Sequence, residues 1–153
     1  MTPQPLPPVA ASRPLRVRGC RLITLHRPPV EGACISVLGQ NGCAMPFAVE
    51  RLFVTHDVPA GATRGRHAHR QCHQLLVCVA GAVTVVVDDG TEREEVALNH
   101  PGVALHVPPM VWAEQRHERA GSVLVVAASH GYDELDYIRD AAEWRAALAA
   151  PAD

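Results

Sequence analysis

The chain has 153 residues, 48% of them hydrophobic, which is enough for one domain with a real core and too apolar for a disordered segment. Its net charge of −2 gives no global attraction for nucleic acid or an anionic membrane surface. There is no lysine, which excludes Schiff-base chemistry through a lysine amine.

Residues 1–15 carry Pro3, Pro5, Pro7, Pro8 and Pro14 and read as a flexible Pro-rich tail. These prolines fall where a secretion signal needs a continuous apolar run, so secretion is not expected. Residues 16–150 read as one domain. A first strand is expected over 20–26, stopped by Pro28 and Pro29, and a second over 33–38, ended by Gly39 and Gly42. A third runs over 48–58. Next come the stretch from Gly61 that carries His67 and His69, then strands over 74–80 and 83–87. Asp88-Asp89-Gly90 is a hairpin signal joining 83–87 to 94–98. Strands over 103–107, 112–117 and 123–128 complete the set. Many short strands with frequent turns imply an all-β sandwich or barrel, not βαβ units. Only the end reads as helix, with Ile138, Ala141, Ala142, Trp144 and Leu148 near one face of 138–148. The segment 132–137 before it reads as an irregular strap.

The five cysteines (Cys20, Cys34, Cys43, Cys72, Cys78) include no CxxC pair, and an odd number cannot all bridge internally. A reduced, cytoplasmic setting follows. No apolar run is longer than a strand, so no membrane span is expected.

His67 and His69 are two residues apart, and a strand sends both imidazoles out of one face. In a small antiparallel barrel that face is the lumen, where ligands sit. The positions of Gly61, His67, His69 and Gly81 resemble the first motif of the cupin superfamily, the double-stranded β-helix (jelly-roll) barrels. Gly102 and Pro108 resemble its second. The departures fall on the metal ligands: Gln74 replaces a glutamate and Ala113 a histidine, which leaves a metal site half built. His73 and His117 are the alternative imidazoles.

A closer resemblance runs from about Arg51 to Trp144. It is carried by Arg64-Gly65-Arg66-His67-Ala68-His69, by residues 74–81 and 85–90, by Val107-Pro108-Pro109-Met110-Val111-Trp112, and by Tyr132-Asp133-Glu134-Leu135-Asp136-Tyr137-Ile138-Arg139. These strings resemble the cupin-fold dTDP-4-keto-6-deoxyglucose 3,4-ketoisomerases. The resemblance implies a metal-free isomerase that needs no cofactor. It moves the ketone from C4 to C3 by proton removal at C3 and reprotonation at C4 through an enediolate. It implies His69 as the base and His67 as its neighbour on the sugar oxygens. Arg64, Arg66 and Arg51 are the candidates for the pyrophosphate, and alternation alone does not rank them. Gln74 and Trp112 complete the expected substrate-binding set. The resemblance also implies a homodimer with exchanged amino-terminal strands, in a pathway of deoxysugar and surface polysaccharide synthesis.

Two positions depart from that family. Ala113 stands where a pocket histidine is usual, and residues 51–56 lack the usual tyrosines, leaving His56 or His117 to compensate. Two other functions compete on this ground: a non-catalytic cupin that binds a nucleotide sugar, and a metal-dependent cupin enzyme. His26, His100 and His130 receive no role. Cys72 and Cys78 read as small core residues, Tyr132 and Tyr137 as packing for the strap, and Arg13, Arg16, Arg18 and Arg21 as a solvated strand edge.

Overall fold

The computed structural model describes residues 11–39 and 44–151. Pro3, Pro5, Pro7, Pro8, Gly42 and Cys43 lie outside the described residues. In chain order the elements are β1 (Ser12–Pro14), β2 (Arg21–Thr24), β3 (Arg51–Thr55), β4 (Thr63–His69), β5 (Gln74–Ala80), β6 (Val83–Asp88), β7 (Arg93–Leu98), β8 (Val103–Val107), β9 (Trp112–His117), β10 (Val123–Ala128), β11 (Tyr137–Ile138) and α1 (Ala141–Ala149). Two antiparallel sheets face each other, one ordered β1-β2-β8-β5-β10-β3 and the other β11-β4-β9-β6-β7. This is the all-β barrel that the strand pattern predicts, in the cupin-type jelly roll that the resemblance implies.

Alternation explains the core. Leu76, Leu105, Leu124 and Val126 from one sheet meet Val85, Val87 and Leu98 from the other, all buried. At ~25 cal/mol per Å² of apolar surface, each such side chain contributes roughly 1.5–3 kcal/mol. The hairpin falls where Asp88-Asp89-Gly90 places it: Gly90 takes φ +91° and its N–H donates to Asp88 Oδ1 at 2.7 Å.

Several expected boundaries move; the strand expected over 48–58 narrows to Arg51–Thr55 and the one over 20–26 to Arg21–Thr24. Ser12–Pro14 is not tail but an edge strand paired with β2. Residues 33–38 form no strand; one bridge, His26 to Val37, is all the pairing they make. Leu38 instead packs with Met45 and Phe47 on the outer face of the six-stranded sheet. The helix starts at Ala141 and not Ile138, because Asp140 caps it by accepting from the Glu143 N–H at 2.8 Å. Ile138 belongs to β11, opposite Ala68.

The helix closes the outer face of the second sheet. Trp144, 1% exposed, packs on Trp112, Ala68 and Ile138, and its indole N–H donates to the Met110 carbonyl at 2.8 Å. Ala68 and Ile138 are thereby fixed outward, which turns their neighbours His67, His69 and Tyr137 inward.

Candidate active site

β4 is not a uniform strand. Its register against β9 shifts between Gly65 and His67, leaving Arg66 unpaired in a bulge. Gly65 (φ +84°) and Arg66 (φ +58°) both occupy the left-handed region. A Cβ on Gly65 would sit 3.0 Å from the Ala113 carbonyl oxygen and 3.1 Å from Gln115 Oε1. Only glycine fits there without strain. Beyond the bulge His67 lies opposite Ala113, which in turn lies opposite the core residue Val87. Directly opposed residues share a face, so His67 and His69 point into the lumen as expected.

The site gathers at that end of the barrel. The His67 and His69 rings are 4.9 Å apart at 89°, and Tyr137 lies 4.9 Å from the first and 4.4 Å from the second. From the facing sheet Arg51 donates to the Tyr137 hydroxyl at 3.4 Å. Arg51, Ala128, Gln74 and Val107 form one cross-strand row, so Arg51 and Gln74 share the inner face.

His69 has a partner on its outer side. Its Nδ1 lies 3.0 Å from Asp136 Oδ2. The same carboxylate accepts the Gln71 N–H at 2.7 Å and the Cys72 N–H at 3.2 Å. A carboxylate held by two backbone donors is a fixed acceptor, so Nδ1 carries the ring proton and Nε2 keeps its lone pair. Burial, and after it the charge of a protonated His67, push the His69 imidazole down to about 4, while Asp136 pulls the other way. Burial also lowers His67, with Arg139 and Arg51 adding to the effect. Both rings are neutral at pH 7, the state in which an imidazole accepts a proton.

Three buried nitrogens here have no hydrogen-bond partner: His67 Nδ1, His69 Nε2 and Arg51 Nε. Buried polar atoms without protein partners are uncommon, and water or the polar groups of a ligand in the lumen would satisfy them. Above them Arg139 grips Glu134 through two nitrogens, at 2.9 and 3.1 Å, and lies over the Tyr137 ring at 4.4 Å. Tyr132 also bonds Glu134.

Not all the expected residues join this cluster. Arg51 does. Arg64 is opposite Gln115, further down the barrel, and is exposed; its charge acts on His117. Arg66 is exposed in the bulge. Trp112 faces the opposite way, under Trp144, with its N–H on Glu114 Oε1 at 3.1 Å; it packs the outer face and does not line the lumen. Neither substitute histidine fills the place of Ala113. His56 is exposed beside Asp57. His117 does face the lumen, fully buried, but four residues along β9 is about 13 Å. His73 sits outside the lumen, stacked on His106 with 3.0 Å between nitrogens. The cupin metal pattern is thus left with two imidazoles and a neutral amide, Gln74, a poor set for a divalent ion. Sequence reasoning missed Asp136 and the inward turn of Tyr137. The Asp-Tyr-Ile-Arg string that carries the family resemblance marks the strap, but it does not say that Asp136 meets His69 or that Tyr137 turns inward.

A family model described as FdtA, WxcM-like, C-terminal matches residues 18–149. This chain belongs to that family. It is 41% identical, over 95 residues covering 62% of this chain and 68% of the relative, to the TDP-4-oxo-6-deoxy-alpha-D-glucose-3,4-oxoisomerase of Aneurinibacillus thermoaerophilus. Among solved structures it matches QdtA, a sugar 3,4-ketoisomerase from Thermoanaerobacterium thermosaccharolyticum in complex with TDP. That match has TM-score 0.79 and 30% identity, and covers 86% of this chain and 95% of that one. A 3,4-ketoisomerase from Helicobacter canadensis matches at TM-score 0.79 and 28% identity, over 85% of this chain and 97% of its own.

Proposed function

We infer that this FdtA-family chain is a 3,4-ketoisomerase of a dTDP-4-keto-6-deoxyhexose. The observation that carries the reading is the convergence of His67 Nδ1, His69 Nε2 and Arg51 Nε, buried and unpartnered, around a histidine backed by Asp136. In the proposed reaction His69 Nε2 takes the proton from C3, acidified by the adjacent C4 ketone. The C3–H pair becomes the C3–C4 double bond of an enediolate. Charge moves onto O4, where the Tyr137 hydroxyl and the His67 ring supply donors. Protonation at C4 by the His69 imidazolium, with transfer of the O3 proton to O4, leaves the ketone at C3. Asp136 stabilises the imidazolium between the two transfers without taking its proton.

Arg51 is the proposed phosphate or sugar-oxygen contact from the facing sheet, with Gln74 beside it in the same row. Arg64 and Arg66 have a weaker claim, since neither lies in the His67–His69 cluster. Among the described residues no helix is long and apolar enough to cross a membrane. The cytoplasm is the proposed setting, consistent with the unpaired thiols of Cys20, Cys72 and Cys78. A homodimer is proposed as well. Leu52 (64% exposed), Val54 and Val79 leave the β3 side of the outer face of the six-stranded sheet apolar and exposed, beyond the part that Leu38, Met45 and Phe47 cover. In an exchanged dimer the partner's β1–β2 would take the place beside β8 that the chain's own β2 holds. The product would feed deoxysugar supply for surface polysaccharide.

The test is incubation with dTDP-4-keto-6-deoxyglucose in D₂O, followed by proton NMR. Loss of the C3 proton signal and growth of a 3-keto product support the reading. Tight binding without exchange makes the chain a nucleotide-sugar binding module instead.

A further inference from the structure

We propose that His69, Cys72 and Asp136 form a site for a thiophilic divalent cation of the Zn²⁺ type, which when filled switches the base off. One ligand atom from each of the three lies within 4.8 Å of the other two. They offer one nitrogen, one sulfur and one oxygen, the donor classes that Zn²⁺ takes in tetrahedral sites. His69 Nδ1 and Asp136 Oδ2 are 3.0 Å apart. Two such donors on a tetrahedral zinc stand roughly 3.3 Å apart, so little movement is needed. The Cys72 thiol is 2% exposed and spends its proton on the His73 carbonyl at 3.3 Å, a weak bond to give up. Asp136 is already oriented by the Gln71 and Cys72 N–H groups, the outer support a metal-bound carboxylate needs. A cavity of about 340 Å³ reaches one of the three ligands, Asp136, from outside; His69 and Cys72 do not line it, so an ion enters past that carboxylate, and water takes the fourth position.

This site is not the cupin metal pattern. That pattern lies in the lumen, where the His69 Nε2 atom points; this one uses Nδ1, on the other side of the same ring. The consequence follows from proton balance. Neutral imidazole has one N–H. When the ion takes Nδ1, the ring proton moves to Nε2, and the lone pair that would accept the C3 proton is gone. The Cys72 thiol ionises, so binding releases one proton to solvent. The inhibitory half of this inference rests on the proposed role of His69; the binding half does not.

The metal-free protein is titrated with Co²⁺, which reports thiolate ligation by a near-ultraviolet charge-transfer band and tetrahedral geometry by strong visible bands. Wild type is expected to show both, and Zn²⁺ to bleach them. Cys72→Ser should lose the charge-transfer band, whereas Cys34→Ser, on an exposed cysteine, keeps it. Cys72→Ala serves if the serine variant unfolds. In parallel, Zn²⁺ should suppress turnover reversibly to chelator, with the half-inhibiting concentration rising about 10-fold or more in the Cys72 variant. No charge-transfer band in wild type, or a band unchanged in Cys72→Ser, overturns the site. A band without any isomerase activity in the metal-free protein leaves the site standing and removes the proposed function. Equal Zn²⁺ inhibition of wild type and Cys72 variant overturns the switch.

Discussion

Replacing Asp136 by asparagine tests the proposed proton-transfer mechanism at its least visible part. The two carboxylate oxygens are not equivalent: Oδ1 takes the Gln71 N–H at 2.7 Å, while Oδ2 takes both the Cys72 N–H at 3.2 Å and His69 Nδ1 at 3.0 Å. An asparagine can keep its oxygen on Gln71, the shortest of these bonds. Its NH₂ then faces His69 and donates to Nδ1, which moves the ring proton to Nε2 and removes the base. The opposite orientation preserves the tautomer but sets an NH₂ against the Gln71 N–H. In both, the negative charge that stabilises the imidazolium is lost. The expected result is a fall in kcat of about 10²–10⁴-fold. That is roughly 3–5 kcal/mol of transition-state stabilisation. KM should change little, because Asp136 lies behind His69. Steady-state kinetics on dTDP-4-keto-6-deoxyglucose measure it, with ¹⁵N NMR of the His69 ring to report the tautomer. A folded Asp136→Asn variant with kcat within a few-fold of wild type refutes the argument, and so does a loss confined to KM.

Gly65→Ala places a Cβ at 3.0 Å from a backbone carbonyl at φ +84°. It should cost about 1–3 kcal/mol in denaturant unfolding and disturb activity by shifting the bulge that aims His67. Trp112→Phe should lower stability by about 1–2 kcal/mol through the lost Glu114 bond and the thinner contact with Trp144, and leave KM unchanged; a raised KM would return Trp112 to the substrate. Stability should also fall on mild acidification. Burial, then His73 and Arg21, hold His106 down to about 4, below its ordinary 6.5. The unfolded chain therefore binds more protons between those values, and stability drops as pH falls from 6.5 toward 4 and is flat above. For His106 alone the loss is up to about 3 kcal/mol. His106→Leu should flatten part of that slope in thermal melts from pH 7.5 to 4.5; an unchanged slope contradicts the assignment.

The strands from Gln74 onward were legible because alternation and turn residues agreed there. Gln74–Ala80, Val103–Val107, Trp112–His117 and Val123–Ala128 fall on the expected residues. Period two failed in β4. Counting back from His69 turns Arg64 and Arg66 outward together, whereas the bulge at Arg66 sets Arg64 in the inward row of Gln115. The glycine before it was the warning. Residues 33–38 carry strand-like apolar residues, but Gly32 and Gly39 take φ +71° and +93° and turn the segment into a cover over the sheet. Asp136 was out of reach of any local pattern. It meets His69 across 67 residues, and nothing in the strap's own sequence says which of Asp133, Glu134 and Asp136 will point at a ring.

Ala113 is where the geometry adds most to the sequence reading. It holds the inward position of β9 opposite His67, and the next inward residues, Gln115 and His117, lead away from the site. No other β9 imidazole replaces what alanine removes. Yet in the proposed reaction the groups that proton transfer uses come from other elements: the base from β4, its carboxylate from the strap, the phenol from β11 and the guanidinium from β3. A shortened side chain at 113 therefore leaves the base and its support intact and changes the wall beside His67. In the proposed reaction that position would act on how the sugar is seated, and through the seating on which face of C4 receives the returning proton. Restoring the ring by Ala113→His should then alter the ratio of C4 epimers, read by the C4 proton couplings, more than it alters the rate of C3 exchange. A variant that raises exchange by orders of magnitude with the epimer ratio unchanged would place the missing histidine in the proton path instead.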